Sequence, residues 1–281
     1  MRMTSDLTLG FSPCPNDTYI FYALVHNQIP LEQVSFAPPI LADVETLNNL
    51  ALQARLDVTK LSFHALGHAL DDYIMLSAGA ALGRGCGPLL VTRPGPPPDL
   101  ERAAIAIPGT YTTAAMLLRL FAPGAGNLHV MRFDEIMPAV IRGEVDAGVI
   151  IHESRFTYQD LGLVPVQDLG RWWEEVTGLP IPLGCIGARR NLPLESLTRI
   201  DLAVQASLQW ARQHPDQCMS YIKQHAQEMQ DGVLQRHISL YVNEYSLQIG
   251  DEGKEAVREL LRRGRDAKIF PQGRVSEVFV D

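Results

Sequence analysis

Short apolar runs alternate with amphipathic stretches along the first two thirds of the chain. Residues 7–11 form an apolar run of strand length, closed by Ser12-Pro13-Cys14-Pro15-Asn16-Asp17. Residues 18–25 then carry helical spacing, with Asn16 or Asp17 as the expected N-cap. Residues 34–39 read as an edge strand that stops at a proline pair. Residues 43–55 predict a helix capped by Asp43, with Leu47, Leu50 and Leu52 on its buried side. A strand over 58–62, a helix over 63–71 and a strand over 73–76 follow. This alternation predicts a sheet with parallel crossovers.

A second unit of the same kind begins after a glycine-rich stretch at 79–87 and a strand at 88–93. Pro94-Gly95-Pro96-Pro97-Pro98 is the densest turn signal in the chain. Beyond it, strands are expected at 103–107, 129–133 and 145–151, and helices at 112–121 and 134–142. The unit closes near Pro180-Ile181-Pro182-Leu183-Gly184, and 185–188 reads as a strand returning to the first unit. Helices at 194–214, 215–225, 231–242 and 251–264 complete the chain. The simplest organisation is a discontinuous larger α/β domain, 1–93 with 187–281, and a smaller α/β domain, 94–186, inserted in it. Ligand sites favour the cleft between such units.

Composition narrows the function classes. The 281 residues are 46% hydrophobic and 20% charged, as in a globular domain, and carry a net charge of -8. There is no long basic run, so neither nucleic acid nor a membrane surface is the expected partner. No run approaches membrane-spanning length, and no apolar run of signal-peptide length follows Met1, so the cytoplasm is the expected compartment. Cys14, Cys86, Cys185 and Cys218 form no C-x-x-C pair and are expected as free thiols. His64 and His68 share a helix face, but no H-E-x-x-H motif accompanies them, so no metal site is expected.

Four segments carry candidate chemistry. Val149-Ile150-Ile151-His152-Glu153 is a buried strand ending in an imidazole. In open α/β sheets ligands sit beyond the carboxyl ends of strands. There His152 is placed to act as a general base, against the competing reading of a histidine satisfied by a backbone carbonyl. Glu153 points to the other side of the strand. Gly109-Thr110-Tyr111-Thr112-Thr113 follows a strand and opens a helix, so unpaired N–H groups and two threonine hydroxyls suit a carboxylate. Ordinary threonine capping explains the segment equally well, and no Walker lysine is present. Thr59-Lys60-Leu61-Ser62 is a third strand end; Ser62 reads as a helix cap or a ligand contact, Lys60 as a surface charge or a ligand contact. Ser12–Asp17 is a proline-stiffened wall with Asn16 as a polar contact, and no spacing ties Cys14 to His152 as a nucleophile. Trp172-Trp173 fits core or cleft wall alike.

These segments together resemble the 1,4-dihydroxy-6-naphthoate synthase family of the futalosine route to menaquinone. The resemblance rests on Leu9-Gly10-Phe11-Ser12-Pro13-Cys14-Pro15-Asn16-Asp17-Thr18, Asp43-Val44-Glu45-Thr46-Leu47-Asn48, Thr59-Lys60-Leu61-Ser62, Ala81-Leu82-Gly83-Arg84-Gly85, Tyr111-Thr112-Thr113-Ala114 and Ile150-Ile151-His152-Glu153. It runs from near residue 7 to the last helices. It implies a two-lobed, periplasmic-binding-protein-like (type II) α/β fold, with mixed sheets flanked by helices and the ligand cleft between the lobes. It implies a carbon–carbon lyase acting on cyclic dehypoxanthine futalosine, with no metal or organic cofactor. By resemblance His152 is the proton acceptor, and Lys60, Leu61, Ser62, Thr112 and Thr113 bind substrate. The expected partner is a small-molecule carboxylate, and a homodimer is compatible with the sequence. Two other functions share the fold: a solute-binding protein for a small carboxylate, and the sister chorismate dehydratase of the same pathway.

Overall fold

The computed structural model describes residues 6–32, 34–226, 230–271 and 278–280. The first lobe opens with β1 (Leu9–Phe11), α1 (Pro15–Val25), β2 (Ile40–Leu41), α2 (Val44–Leu52), β3 (Val58–Ser62), α3 (Phe63–Ala69), β4 (Tyr73–Met75) and β5 (Ala81–Gly83). The second holds β6 (Leu89–Thr92), β7 (Ile105–Ile107), α4 (Thr113–Phe121), β8 (Leu128–Val130), α5 (Phe133–Arg142), β9 (Ala147–Ile150), α6 (Ser154–Thr157), β10 (Val164–Asp168) and α7 (Leu169–Thr177). The chain then returns as β11 (Ile181–Arg189), followed by α8 (Leu194–Gln213), α9 (Pro215–His225), α10 (Asp231–Tyr241), α11 (Glu244–Leu247) and α12 (Gly250–Asp266).

Each lobe is a mixed sheet flanked by helices. The first sheet runs β2-β1-β3-β11-β4, with β5 also on β11; β1 is parallel to β2 and β3, and β11 is antiparallel to its neighbours. The second runs β10-β6-β9-β7-β8, with β7 parallel to β8 and β9. Parallel pairing aligns carboxyl ends. The turns after β1 and β3 therefore leave the first sheet on one side, and those after β7 and β9 leave the second together.

The sheets change hands earlier than the division at 93/94 and 186/187 expects. Leu89–Thr92 pairs with β9 and β10 in the second sheet, and the whole of Ile181–Arg189 lies in the first. Pro94–Pro98 is a turn within the second lobe rather than the crossing. The outgoing crossing lies between β5 and β6. There Gly87 touches Gly170 so closely that a Cβ on Gly87 would lie 2.2 Å from the Gly170 Cα. Asp168 braces this point. It accepts from the N–H groups of Gly170 and Arg171 and pairs with Arg155 at 2.6 Å, and Arg155 also donates to the Gly87 carbonyl.

Other departures have local causes. α1 starts at Pro15 rather than at residue 18, because proline at the first helical position brings a preset φ and no N–H to satisfy. Asn16 and Asp17 are thereby inside the first turn and cap nothing. The edge strand at 34–39 reduces to one bridge, Leu7 to Phe36, since Pro38 and Pro39 offer no N–H to a ladder; the paired strand is Ile40–Leu41. On α2 the buried positions are Leu47, Asn48 and Ala51, while Leu50 and Leu52 are half-buried. β10 and α7 are additions to the expected elements; α7 is amphipathic, capped by Asp168 and stopped at Gly178.

One apolar cluster passes through both lobes. It joins Leu61, Phe63, Leu66 and Tyr73 of the first to Leu90, Ile105, Met116 and Trp173 of the second, with Val257 and Leu260 of α12 between them. A second cluster under α1 and α8 fills the far side of the first sheet, and a third lies under α5. Among the described residues no helix is long and apolar enough to cross a membrane.

Candidate active site

Four strand ends and α10 line a cavity of about 670 Å³, partly open to solvent, at the seam between the lobes. All seven expected site residues line it: Asn16 after β1, Lys60, Leu61 and Ser62 at the end of β3, Thr112 and Thr113 after β7, and His152 after β9. Ser12, Asp17, Cys86, His237 and Tyr241 line it as well.

His152 owes its direction to its backbone. Its φ of 57° is in the left-handed region, which a non-glycine side chain enters at a cost. Such strain persists where the surrounding structure imposes it. The ring lies 5.1 Å from that of Phe133 and 6.0 Å from that of His237, nearly parallel to the latter, and Nε2 is 4.0 Å from Cys14 Sγ. Burial lowers its pKa below the usual 6.5, and Lys60 adds to this; the carboxylates of Glu153 and Asp17 partly oppose it. The imidazole is therefore neutral near pH 7, the form a proton acceptor needs.

Behind His152 a polar chain fixes hydrogen positions. Lys60 Nζ lies 2.8 Å from Asp17 Oδ1, with both side chains almost wholly buried. Asp17 Oδ2 accepts from the Ser12 hydroxyl at 2.7 Å and from the Ser12 N–H at 3.2 Å. Asn16 Nδ2 donates to Asp17 Oδ1 at 2.8 Å, which turns its carbonyl oxygen toward His237 Nε2 at 3.0 Å. That oxygen only accepts, so Nε2 of His237 carries the proton. Burial drives the pKa of His237 well below 6.5, with the neighbouring His152 and Lys60 adding to the effect. Lys60 is thus a buried charge with a fixed partner, not a surface residue.

The hydroxyls of both threonines are held within the protein. Thr112 caps α4: its oxygen accepts from the Ala115 N–H at 3.2 Å, and its hydroxyl donates to the Gly109 carbonyl at 2.9 Å. The Thr113 oxygen accepts from the Phe63 N–H at 3.0 Å, and its hydroxyl donates to the Leu183 carbonyl at 2.6 Å. Both hydroxyl protons are spent within the protein, so what the segment offers a carboxylate is the positive end of α4. Thr113 ties this helix to the first lobe.

A second tie crosses nearby. Both carboxylate oxygens of Glu45, on α2, lie 3.1 Å from the Tyr111 nitrogen, and Asn48 joins Glu45 to the N–H and hydroxyl of Ser62. Gly109, at φ 155°, leaves space for that carboxylate: a Cβ there would lie 2.5 Å from its carbon.

The remaining candidates are structural. Burial pushes the Cys14 thiol well up, with Glu153 adding to it, so the nucleophilic thiolate is disfavoured. His64 Nδ1 donates to the Thr112 carbonyl at 3.2 Å, and the ring packs with His68 against Tyr111 and Phe270. Trp173 is core, its indole donating to the Pro180 carbonyl, and Trp172 packs on Phe121. His237 and Tyr241 were missed. They share the buried face of α10 with Val233 and Leu234, and a histidine within such an apolar stripe was the available signal.

Two sheet-bearing lobes with a ligand-sized cavity between them define a periplasmic-binding-protein-like molecule. The alkanesulfonate-binding protein of Xanthomonas axonopodis, solved with MOPS bound, superposes with a TM-score of 0.69 at 12% identity over 97% of this chain and 96% of its own. The model of the menaquinone biosynthesis family matches residues 7–266, and the chain belongs to that family. It is 53% identical to a 1,4-dihydroxy-6-naphthoate synthase of Thermus thermophilus over 90% of this chain and 92% of the relative. It is 46% identical to one of Streptomyces coelicolor over 96% of this chain and the whole of the relative.

Proposed function

We propose that this chain is a 1,4-dihydroxy-6-naphthoate synthase, a cytoplasmic lyase that converts cyclic dehypoxanthine futalosine to 1,4-dihydroxy-6-naphthoate. The observation that carries the reading is one cavity in which a neutral His152 meets Lys60–Ser62 and the start of α4. In this reading the substrate carboxylate lies toward the α4 N-terminus, where unpaired N–H groups favour negative charge. His152 takes a proton from a carbon adjacent to a carbonyl. The freed electron pair is held on the carbonyl oxygen as an enolate; its return as a C=C bond breaks the bond to the sugar-derived part, which leaves with that bond's electron pair and takes up the proton from His152, and aromatisation drives the product forward. General-base catalysis contributes roughly 10²–10⁴-fold, and fixing the ring in the cavity adds to it.

The test is turnover. Purified protein is incubated with the cyclic substrate and, separately, with chorismate, and products are separated by liquid chromatography and identified by mass. Release of the dihydroxynaphthoate from the cyclic substrate alone is expected. Dehydration of chorismate, or binding of either compound without product, overturns the reading.

A further inference from the structure

A proton leaving carbon in this cavity places negative charge on an oxygen, and that oxygen needs a hydrogen-bond donor. Most donors lining the cavity are already committed. The hydroxyls of Ser12, Thr112 and Thr113, the Asn16 amide and the His237 Nε2 proton all point at protein acceptors. Lys60 is held against Asp17.

Two hydroxyls lining the cavity have no acceptor among the described residues: that of Ser62, which itself accepts from the Asn48 amide, and that of Tyr241. Tyr241 sits in the last turn of α10, nine-tenths buried, and lines the cavity. Among the described residues its hydroxyl has no hydrogen-bond partner. Nor does it number among the buried polar atoms sealed from contact without one, which include Glu153 Oε2 and His237 Nδ1. Tyr241 therefore lines the cavity with a hydroxyl whose proton is uncommitted among the described residues. A buried tyrosine without a partner loses the hydrogen bond that its burial would normally be compensated by, which marks the group for a ligand. Burial also raises its pKa, with Cys86 next in effect, so the hydroxyl remains a donor at any working pH. Its ring lies 4.7 Å from that of His237, which in turn is 6.0 Å from that of His152, so the three rings follow one another along the cavity wall.

We propose that Tyr241 is a catalytic residue of this site, its hydroxyl donating a hydrogen bond to the substrate oxygen on which charge gathers as His152 removes the proton. The proposal rests on the function given above. The balance is simple: one proton passes from carbon to the imidazole, the electron pair of the broken C–H bond shifts toward the oxygen, and the Tyr241 O–H bond stays intact.

Tyr241→Phe tests it, because the variant removes one oxygen and no bond internal to the protein. Expected are a fall in kcat of roughly 100- to 1,000-fold, in the range for removal of one donor to a developing oxyanion, a KM within about threefold of wild type by the logic of transition-state-only contacts, and an unchanged Tm. Tyr245→Phe, at a surface tyrosine paired with Glu252, serves as the control and keeps full kcat. A Tyr241→Phe enzyme with kcat within about threefold of wild type overturns the proposal while the lyase reading stands. So does a variant whose loss lies in KM alone, or one whose Tm falls along with its activity, since either marks a packing role. A wild-type protein that turns over no cyclic substrate overturns both.

Discussion

Asp17 and Lys60 form a buried ion pair whose two members are unequally supported, and removing each should therefore cost differently. Their side chains are 2% and 7% exposed and 2.8 Å apart. Asp17 has three further donors, the hydroxyl and N–H of Ser12 and the amide of Asn16. Lys60 Nζ has no hydrogen-bond partner among the described residues beyond the Asp17 ion pair. Asp17→Ala strands an ammonium in an apolar cavity, and stranding a buried charge costs about 3–5 kcal/mol. It also frees the Asn16 amide that orients His237. Lys60→Met leaves a carboxylate that keeps its three donors and a side chain of similar length, for about 1–2 kcal/mol. At roughly 2–4 °C per kcal/mol for a chain of this size, Asp17→Ala lowers Tm by about 6–20 °C and Lys60→Met by about 2–8 °C. Calorimetry on both single variants and the double variant supplies the cycle. The double variant should be no less stable than Asp17→Ala, because the stranded charge is gone. A Lys60→Met variant as unstable as Asp17→Ala, or additive losses in the double, would refute the argument.

Three further outcomes are expected. His152→Asn should reduce kcat by at least about 100-fold with no loss of Tm, since asparagine tolerates the left-handed backbone; residual activity above a tenth of wild type, in the same turnover assay, removes His152 as the base. His64 has a pKa lowered to about 3 by burial; between 6.5 and about 3 the unfolded chain binds a proton that the folded one refuses, so its share of stability is full above pH 6.5 and is lost as pH falls toward 3. Tm measured from pH 7 to pH 4 should thus decline less steeply for His64→Gln than for wild type, and parallel curves would contradict the assignment. Thr113→Val deprives the Phe63 N–H and the Leu183 carbonyl of their partner across the lobes, a loss of about 1–3 kcal/mol in chemical denaturation; an unchanged midpoint would mean that the tie carries no weight.

What the sequence made legible was local. The turns after β1, β3, β7 and β9 announced themselves through Pro15, Ser62, Gly109 and His152, each a residue type that ends a strand or opens a helix. The rule about carboxyl ends then brought them to one cleft. The Asp17–Lys60 pair was not legible, because it depends on β1 lying beside β3 in the register that sets Gly10 against Thr59. Nothing in either segment alone records that pairing. The same holds for Thr113, whose capping role is a local signal while its bonds to Phe63 and Leu183 come from the second lobe docking on the first. Tyr241 sits in the helix expected at 231–242, to which no site residue was assigned, and its unpaired hydroxyl is a property of the assembled cavity. The division of the chain was displaced because β6 and β11 are apolar runs that suit either sheet; only the ladders decide.

The apolar cluster that ignores the boundary between the lobes has a consequence for how the molecule works. Spreading the halves apart like a jaw would wet Phe63 and Met116, at about 25 cal/mol for each Å² uncovered. An opening confined to a few side chains uncovers far less apolar surface than one that parts the lobes. For the same reason a gene fragment encoding either half alone should yield a chain with a bare greasy flank rather than a folded module.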